Sequence, residues 1–136
     1  MFIIVTGPRE GKVNKKLEEY IKTAIYFFSK KLNINDLKIN MHVFVHNRIH
    51  DNGSYSMCEQ QKDKNKYKID VCLYNDWITS LAHEMVHVKQ FVNGEINDKI
   101  LLRDIGNHDE YRNVFYEKEA FSLQRVLVDE FIEDLY

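Results

Sequence analysis

Trp77-Ile78-Thr79-Ser80-Leu81-Ala82-His83-Glu84-Met85-Val86-His87-Val88-Lys89-Gln90 carries the H-E-x-x-H arrangement at residues 83–87. Its periodicity predicts a helix over 76–91. Ile78, Leu81, Ala82, Met85, Val88 and Val92 gather on one side, whereas His83 and His87 fall opposite with Ser80 and Gln90. Asn75 or Asp76 can cap the start, and Asn93-Gly94 can end the helix. One helical turn separates His83 from His87, so both imidazoles point the same way and can share a metal ion. Glu84 stands beside them, where a zinc hydrolase needs a general base to take a proton from metal-bound water. The histidines face away from the main apolar layer, as ligands lining a cleft would.

Working outward, residues 66–74 alternate through Tyr67, Ile69, Val71 and Leu73 and lead directly into this helix. Together with 54–60 they read as a hairpin across the charged turn 61–65. Residues 38–46 alternate as a half-buried strand, with Ile39, Met41, Val43 and Val45 on one face and Asn40, His42, Phe44 and His46 on the other. Phe2 to Thr6 is a short first strand, and Val13, Leu17, Tyr20, Ile21, Ala24, Phe28 and Leu32 recur at helical spacing over 13–32. Residues 96–105 read as a brief extended stretch or loop. A long helix follows over 111–135. The pattern is α+β: a small mixed sheet, a supporting helix, the H-E-x-x-H helix and a long C-terminal helix.

A zinc ion needs a third protein ligand. A histidine six residues after the second is excluded, because position 93 is Asn93. The late helix offers Glu117 and Glu119, which lie far apart around it and cannot both point at one metal. Its apolar stripe runs through Tyr116, Ala120, Leu123, Leu127 and Phe131, spreading to Phe121, Gln124 and Val128. Glu117 borders that stripe, and small Ala120 one turn on would let the helix approach the histidines closely. Glu119 lies toward the polar face with Lys118 and Ser122. Glu117 is therefore the preferred ligand and Glu119 the alternate. His108 or Asp109, in a stretch of turn-like composition, also remains open.

His83-Glu84-Met85-Val86-His87-Val88-Lys89-Gln90, followed by Glu117-x-Glu119-Ala120, resembles the small HExxH zinc metallopeptidases of the gluzincin type, including short bacteriophage and prokaryotic minigluzincins. The likeness covers the C-terminal part of the chain. It implies a zincin-like fold over 1–136 as a single domain, a Zn2+ cofactor and a peptide or protein substrate. In several such families the metal glutamate begins an E-x-x-A pattern followed by Asp or Asn, which maps the ligand to Glu117. Phe121 stands where that Asp or Asn would orient a ligating histidine, so the orienting partner must come from elsewhere or be water. In thermolysin-like relatives the ligand directly precedes the alanine, which would select Glu119.

At 136 residues and 44% hydrophobic, the chain can bury one core but not two. No apolar run is long enough to span a bilayer, and the start lacks signal-peptide features, so the expectation is cytoplasmic with no membrane partner. Cys58 and Cys72 read as reduced, although adjacent strands keep a bridge open. A net charge of -2 with mixed signs gives no basic footprint for nucleic acid, and Lys62, Lys64, Lys66 and Lys68 read as a solvated hairpin. Gly7-Pro8-Arg9-Glu10-Gly11-Lys12 resembles a phosphate-binding loop but is one residue short between glycines, with Val13 where Ser or Thr would bind magnesium. His42, His46 and His50 read as surface or second-layer histidines.

The chemistry these residues point to is hydrolysis of an amide bond by a metal-activated water, with Glu84 as base and then acid to the leaving amine. His108, Tyr111 and Tyr116 are the candidate donors to the developing oxyanion. If 66–74 is a sheet edge, an extended substrate can pair with it as an added strand. The rival is a noncatalytic binding or assembly module on the same fold, docking through Val126, Val128, Phe131, Ile132 and Leu135.

Overall fold

The computed structural model describes residues 1–7, 11–47, 56–62, 65–73, 76–104 and 114–135. Among these residues four strands and four helices follow in the order β1 (Phe2–Thr6), α1 (Lys15–Lys31), β2 (Asn40–His46), β3 (Ser56–Gln60), β4 (Lys66–Cys72), α2 (Trp77–Val92), α3 (Asp98–Asp104) and α4 (Phe115–Leu135). The fold is α+β, with one mixed sheet of order β1-β2-β4-β3 among the described residues. β1, β2 and β4 run parallel, and β3 pairs antiparallel with β4.

Alternation decides which face of the sheet is covered. Ile3, Val5, Met41, Val43, Val45, Tyr67, Ile69 and Val71 are buried on the helix side, and they join Ile21, Ala24, Ile25 and Phe28 of α1 and Leu81, Met85 and Val88 of α2 in one apolar cluster. On the other face Phe2 and Ile4 are exposed, and the His42 ring stacks on Phe44 while sharing a hydrogen bond with Thr6 Oγ1 at 2.9 Å. His42 and His46 thus sit on the sheet face away from α2, as layer residues. His50, Lys64 and Pro8 to Glu10 lie outside the described residues.

The edge considered for 66–74 is corrected: β4 lies inside the sheet, between β2 and β3. Its inward residues are fully buried, as an interior strand requires, whereas β3 is short, mostly half-buried and polar at Glu59 and Gln60, as befits an edge. The edge beside α2 is therefore β3. Residues 96–105 are corrected as well, since Asp98–Asp104 is helical. Asn97 caps it, its Oδ1 accepting the Ile100 N–H at 3.0 Å, while Ile100 and Leu101 pack on the core. Both cysteines are free. Cys58 is in register with Ile69, not with Cys72, and strand alternation turns the two thiols to opposite faces.

α2 is bounded by the expected chemistry. Asp76 Oδ1 accepts the Thr79 N–H at 3.4 Å and Oδ2 accepts its hydroxyl at 2.7 Å, and Gly94 adopts φ +73° so that the Glu95 N–H reaches the Gln90 carbonyl at 2.8 Å. α4 lies across α2 and also meets α1, where Phe131 packs between Tyr20, Phe27 and Phe28. Val128 and Phe131 are spent on that seam, while Val126, Ile132 and Leu135 are exposed. No helix among the described residues is long and apolar enough to cross a membrane.

Candidate metal centre

α2 is covered on both sides, by the sheet and by α4, so the histidine face is not the open cleft wall that its polarity suggests. His87, Gln90 and Glu84 are buried with the apolar residues of the helix. What faces them on α4 is a run at matching spacing: Glu117, Ala120, Phe121 and Gln124. Ala120 is fully buried and brings the two helices together.

His83, His87 and Glu117 form a group that can hold a metal ion. Glu117 Oε1 lies 2.6 Å from His87 Nε2 and 3.2 Å from His83 Nε2, and the two Nε2 atoms are 3.2 Å apart. Glu117 is 1% exposed, so its charge is out of water and must be met inside the protein. Glu119 is elsewhere: both its oxygens accept from Lys89 Nζ, at 2.9 and 3.0 Å, and Oε1 also accepts from Gln90 Nε2 at 2.9 Å. It belongs to an ion-pair network with Lys89 and Glu95 and is not part of the donor group. Burial tends to raise its pKa, but Lys89, Gln90 and His87 outweigh that and lower it.

Glu84 is buried beside the donor group, and its Oε2 accepts the Ser56 hydroxyl at 2.5 Å from the edge strand β3. The register that places Ser56 opposite Val71 turns it to the helix side of the sheet, toward α2. Cys58, next on that face, is also near Glu84. Its pKa is raised, chiefly by burial and further by Glu84 and Glu59, and among the described residues it is not part of the donor group. Tyr116 is buried with its ring 6.3 Å from that of His87, while His108, Asp109 and Tyr111 lie outside the described residues.

The donor set favours positive charge at its centre. Gln90 Nε2 donates to the Tyr116 carbonyl and to Glu119, both at 2.9 Å, so Gln90 Oε1 is the atom that meets His87 Nδ1 at 2.7 Å. Nδ1 must carry a proton there. The Glu117 carboxylate oxygen 2.6 Å from Nε2 favours a second proton there, so the imidazolium is the favoured form of His87 when no metal is bound. Burial alone would lower the His87 pKa, but the Glu117 hydrogen bond, the Glu84 and Glu117 charges and the Gln90 hydrogen bond raise it from 6.5 to about 9. A dication in the same place supplies that positive charge without the proton.

This gives opposite pH trends for the two states. A folded pKa of about 9 against an unfolded 6.5 means that His87 stabilises the metal-free protein fully below about pH 6.5, and that this stability is lost as pH rises through about 9. Metal uptake has to expel the proton, so apparent metal affinity rises across the same window. Urea unfolding of chelator-stripped protein should show a lower midpoint near pH 9 than near pH 6.5, with metal titrations moving the other way. Metal affinity that is flat over this range would contradict the His87–Glu117 contact.

The sequence reading missed Gln124 and the role of Gln90. His83 Nδ1 lies 2.8 Å from Gln124 Oε1, the orienting partner from elsewhere that Phe121 called for, and Phe121 packs its ring edge-on against His83 with centroids 4.7 Å apart. The signal was present as spacing, since 117, 121 and 124 share one helix face. No family model, curated protein or solved structure matches the chain.

Proposed function

We propose that the chain is a zinc-dependent hydrolase that cleaves amide bonds in peptides. The observation that carries this reading is the convergence of His83, His87 and Glu117 on one point, with the carboxylate of Glu84 buried beside it. Two imidazoles and a carboxylate serve catalytic zinc and also iron(II), and Glu84 directly after His83 is what favours the zinc hydrolase reading. Edges of a zinc tetrahedron built on ordinary bond lengths are about 3.3–3.5 Å. The 3.2 Å separations are close to that, and the 2.6 Å contact is the one drawn in by a hydrogen bond.

Bound there, zinc would supply Lewis acidity that brings the pKa of a coordinated water toward neutrality. The protein's own part is to hold and move the proton. Ser56 occupies Glu84 Oε2, which leaves Oε1 to accept the proton and pass it to the departing amine. Burial keeps bulk water from competing for that carboxylate. β3 is both the sheet edge and the source of Ser56, so a substrate added to it as a further strand would be led along the Glu84 side of α2. Backbone pairing of this kind binds extended chain with little sequence selectivity.

The zinc-loaded chain, incubated with a mixture of unstructured peptides and followed by mass spectrometry, should generate internal cleavages that phenanthroline stops and added zinc restores. Intact peptides in the presence of a fully loaded chain would instead favour a noncatalytic module with zinc as a staple.

A further inference from the structure

We propose that Gln90 and Gln124 are the positioning residues of this metal centre, each accepting the Nδ1–H of one histidine so that both Nε2 lone pairs face the metal. The inference rests on the metal-centre reading above and assigns the part that the E-x-x-A pattern left vacant at Phe121. Two independent contacts carry it: His83 Nδ1 with Gln124 Oε1 at 2.8 Å, and His87 Nδ1 with Gln90 Oε1 at 2.7 Å.

A histidine binds metal through one nitrogen only when the other holds the proton, and the partner of that second nitrogen sets both tautomer and ring orientation. An amide can present either its oxygen or its nitrogen, so a glutamine is a dependable acceptor only if something fixes which end faces the ring. Gln90 is fixed. It is fully buried, and the two hydrogens of Nε2 are taken by the Tyr116 carbonyl and by Glu119 Oε1, neither of which can donate. Lys89 in turn holds Glu119 ionised, by bonds to both oxygens. Glu119 therefore acts at one remove: it locks an amide that locks a ring. From α4, Gln124 Oε1 meets His83 Nδ1, and Phe121 restrains that ring from the side.

The choice of amides has an electrostatic consequence. Carboxylates in these positions would add negative charge to a buried group that already holds Glu117 and Glu84. Neutral amides orient the rings while leaving a bound dication most of its charge, and hence its pull on substrate oxygen.

The test uses the whole chain and cobalt(II) as the probe, with affinity measured by visible absorption against a competing chelator. Gln124→Met keeps the length and removes the acceptor. It should weaken cobalt binding about 10–100-fold, as loss of an outer partner does elsewhere. In the zinc-loaded wild type, nitrogen-edited NMR should find two slowly exchanging imidazole Nδ1–H protons, and Gln124→Met should lose the one on His83 alone. Gln124→Glu restores an acceptor and should restore affinity and signal, which a packing role would not require. Gln90→Met should act likewise on His87; if it does not fold, the Gln124 pair still decides. Wild-type affinity in Gln124→Met, or a loss in Gln124→Glu equal to that in Gln124→Met, would overturn the proposal while leaving the metal centre standing. No cobalt uptake by the wild type would overturn both.

Discussion

Replacing Glu84 by glutamine is expected to leave the metal in place and to cut peptide hydrolysis by about 10²–10⁴-fold, the range for loss of a positioned general base. The substitution is nearly isosteric at a buried position, and the glutamine oxygen can still accept the Ser56 hydroxyl. What disappears is the capacity to take a proton. Metal content and turnover should therefore separate, since Glu84 lies outside the donor group. A variant that kept full hydrolytic rate would show that the base is another residue, and a variant that lost its metal would place Glu84 among the ligands.

Glu117→Ala and Glu119→Ala should differ as much as any two neighbouring substitutions in the chain. Glu117 supplies the only carboxylate oxygen of the group, and without it two imidazoles remain. Its loss should weaken zinc binding by more than the about 10–100-fold expected from an outer partner. It should also shrink the pH dependence of the metal-free protein, because the Glu117 hydrogen bond and charge are two of the causes that raise the His87 pKa. Glu119→Ala breaks the bonds to Lys89 and Gln90 but leaves all three donors, so it should still take up zinc, with affinity reduced no further than that outer range. Chelator competition on the two variants gives the comparison. Equal losses would mean that the ion-pair network, not the carboxylate of Glu117, holds the site together.

Much of this centre was legible in the chain because the cues are local. Asp76 and Gly94 mark α2, and the alternation of β2 and β4 appears in their burial, broken only at Cys72, which is buried like Val71 before it. Glu117 could be preferred to Glu119 because it borders the apolar stripe of α4, and the two side chains do part there, one into the donor group and one to Lys89. What could not be read depended on partners distant in sequence. A helical wheel separates His83 and His87 from the apolar side of α2, but it cannot tell solvent from another helix. Here α4 covers that side and turns Gln90 from a surface residue into a buried anchor. Strand order is nonlocal too: nothing in 56–60 or 66–74 alone says that β4 pairs with β2 and leaves β3 at the edge. Residues 98–104, read as extended or loop, are helical behind the Asn97 cap.

Two helices, α2 and α4, bring His83, His87 and Glu117 together as a group that can hold a single metal ion. Zinc content of the purified chain, by elemental analysis after reconstitution and exhaustive dialysis, tests it most directly. About one zinc per chain is expected, as one three-ligand site requires, and its loss in His87→Ala. A wild-type chain that retains no zinc, or a His87→Ala variant that retains it in full, would contradict it.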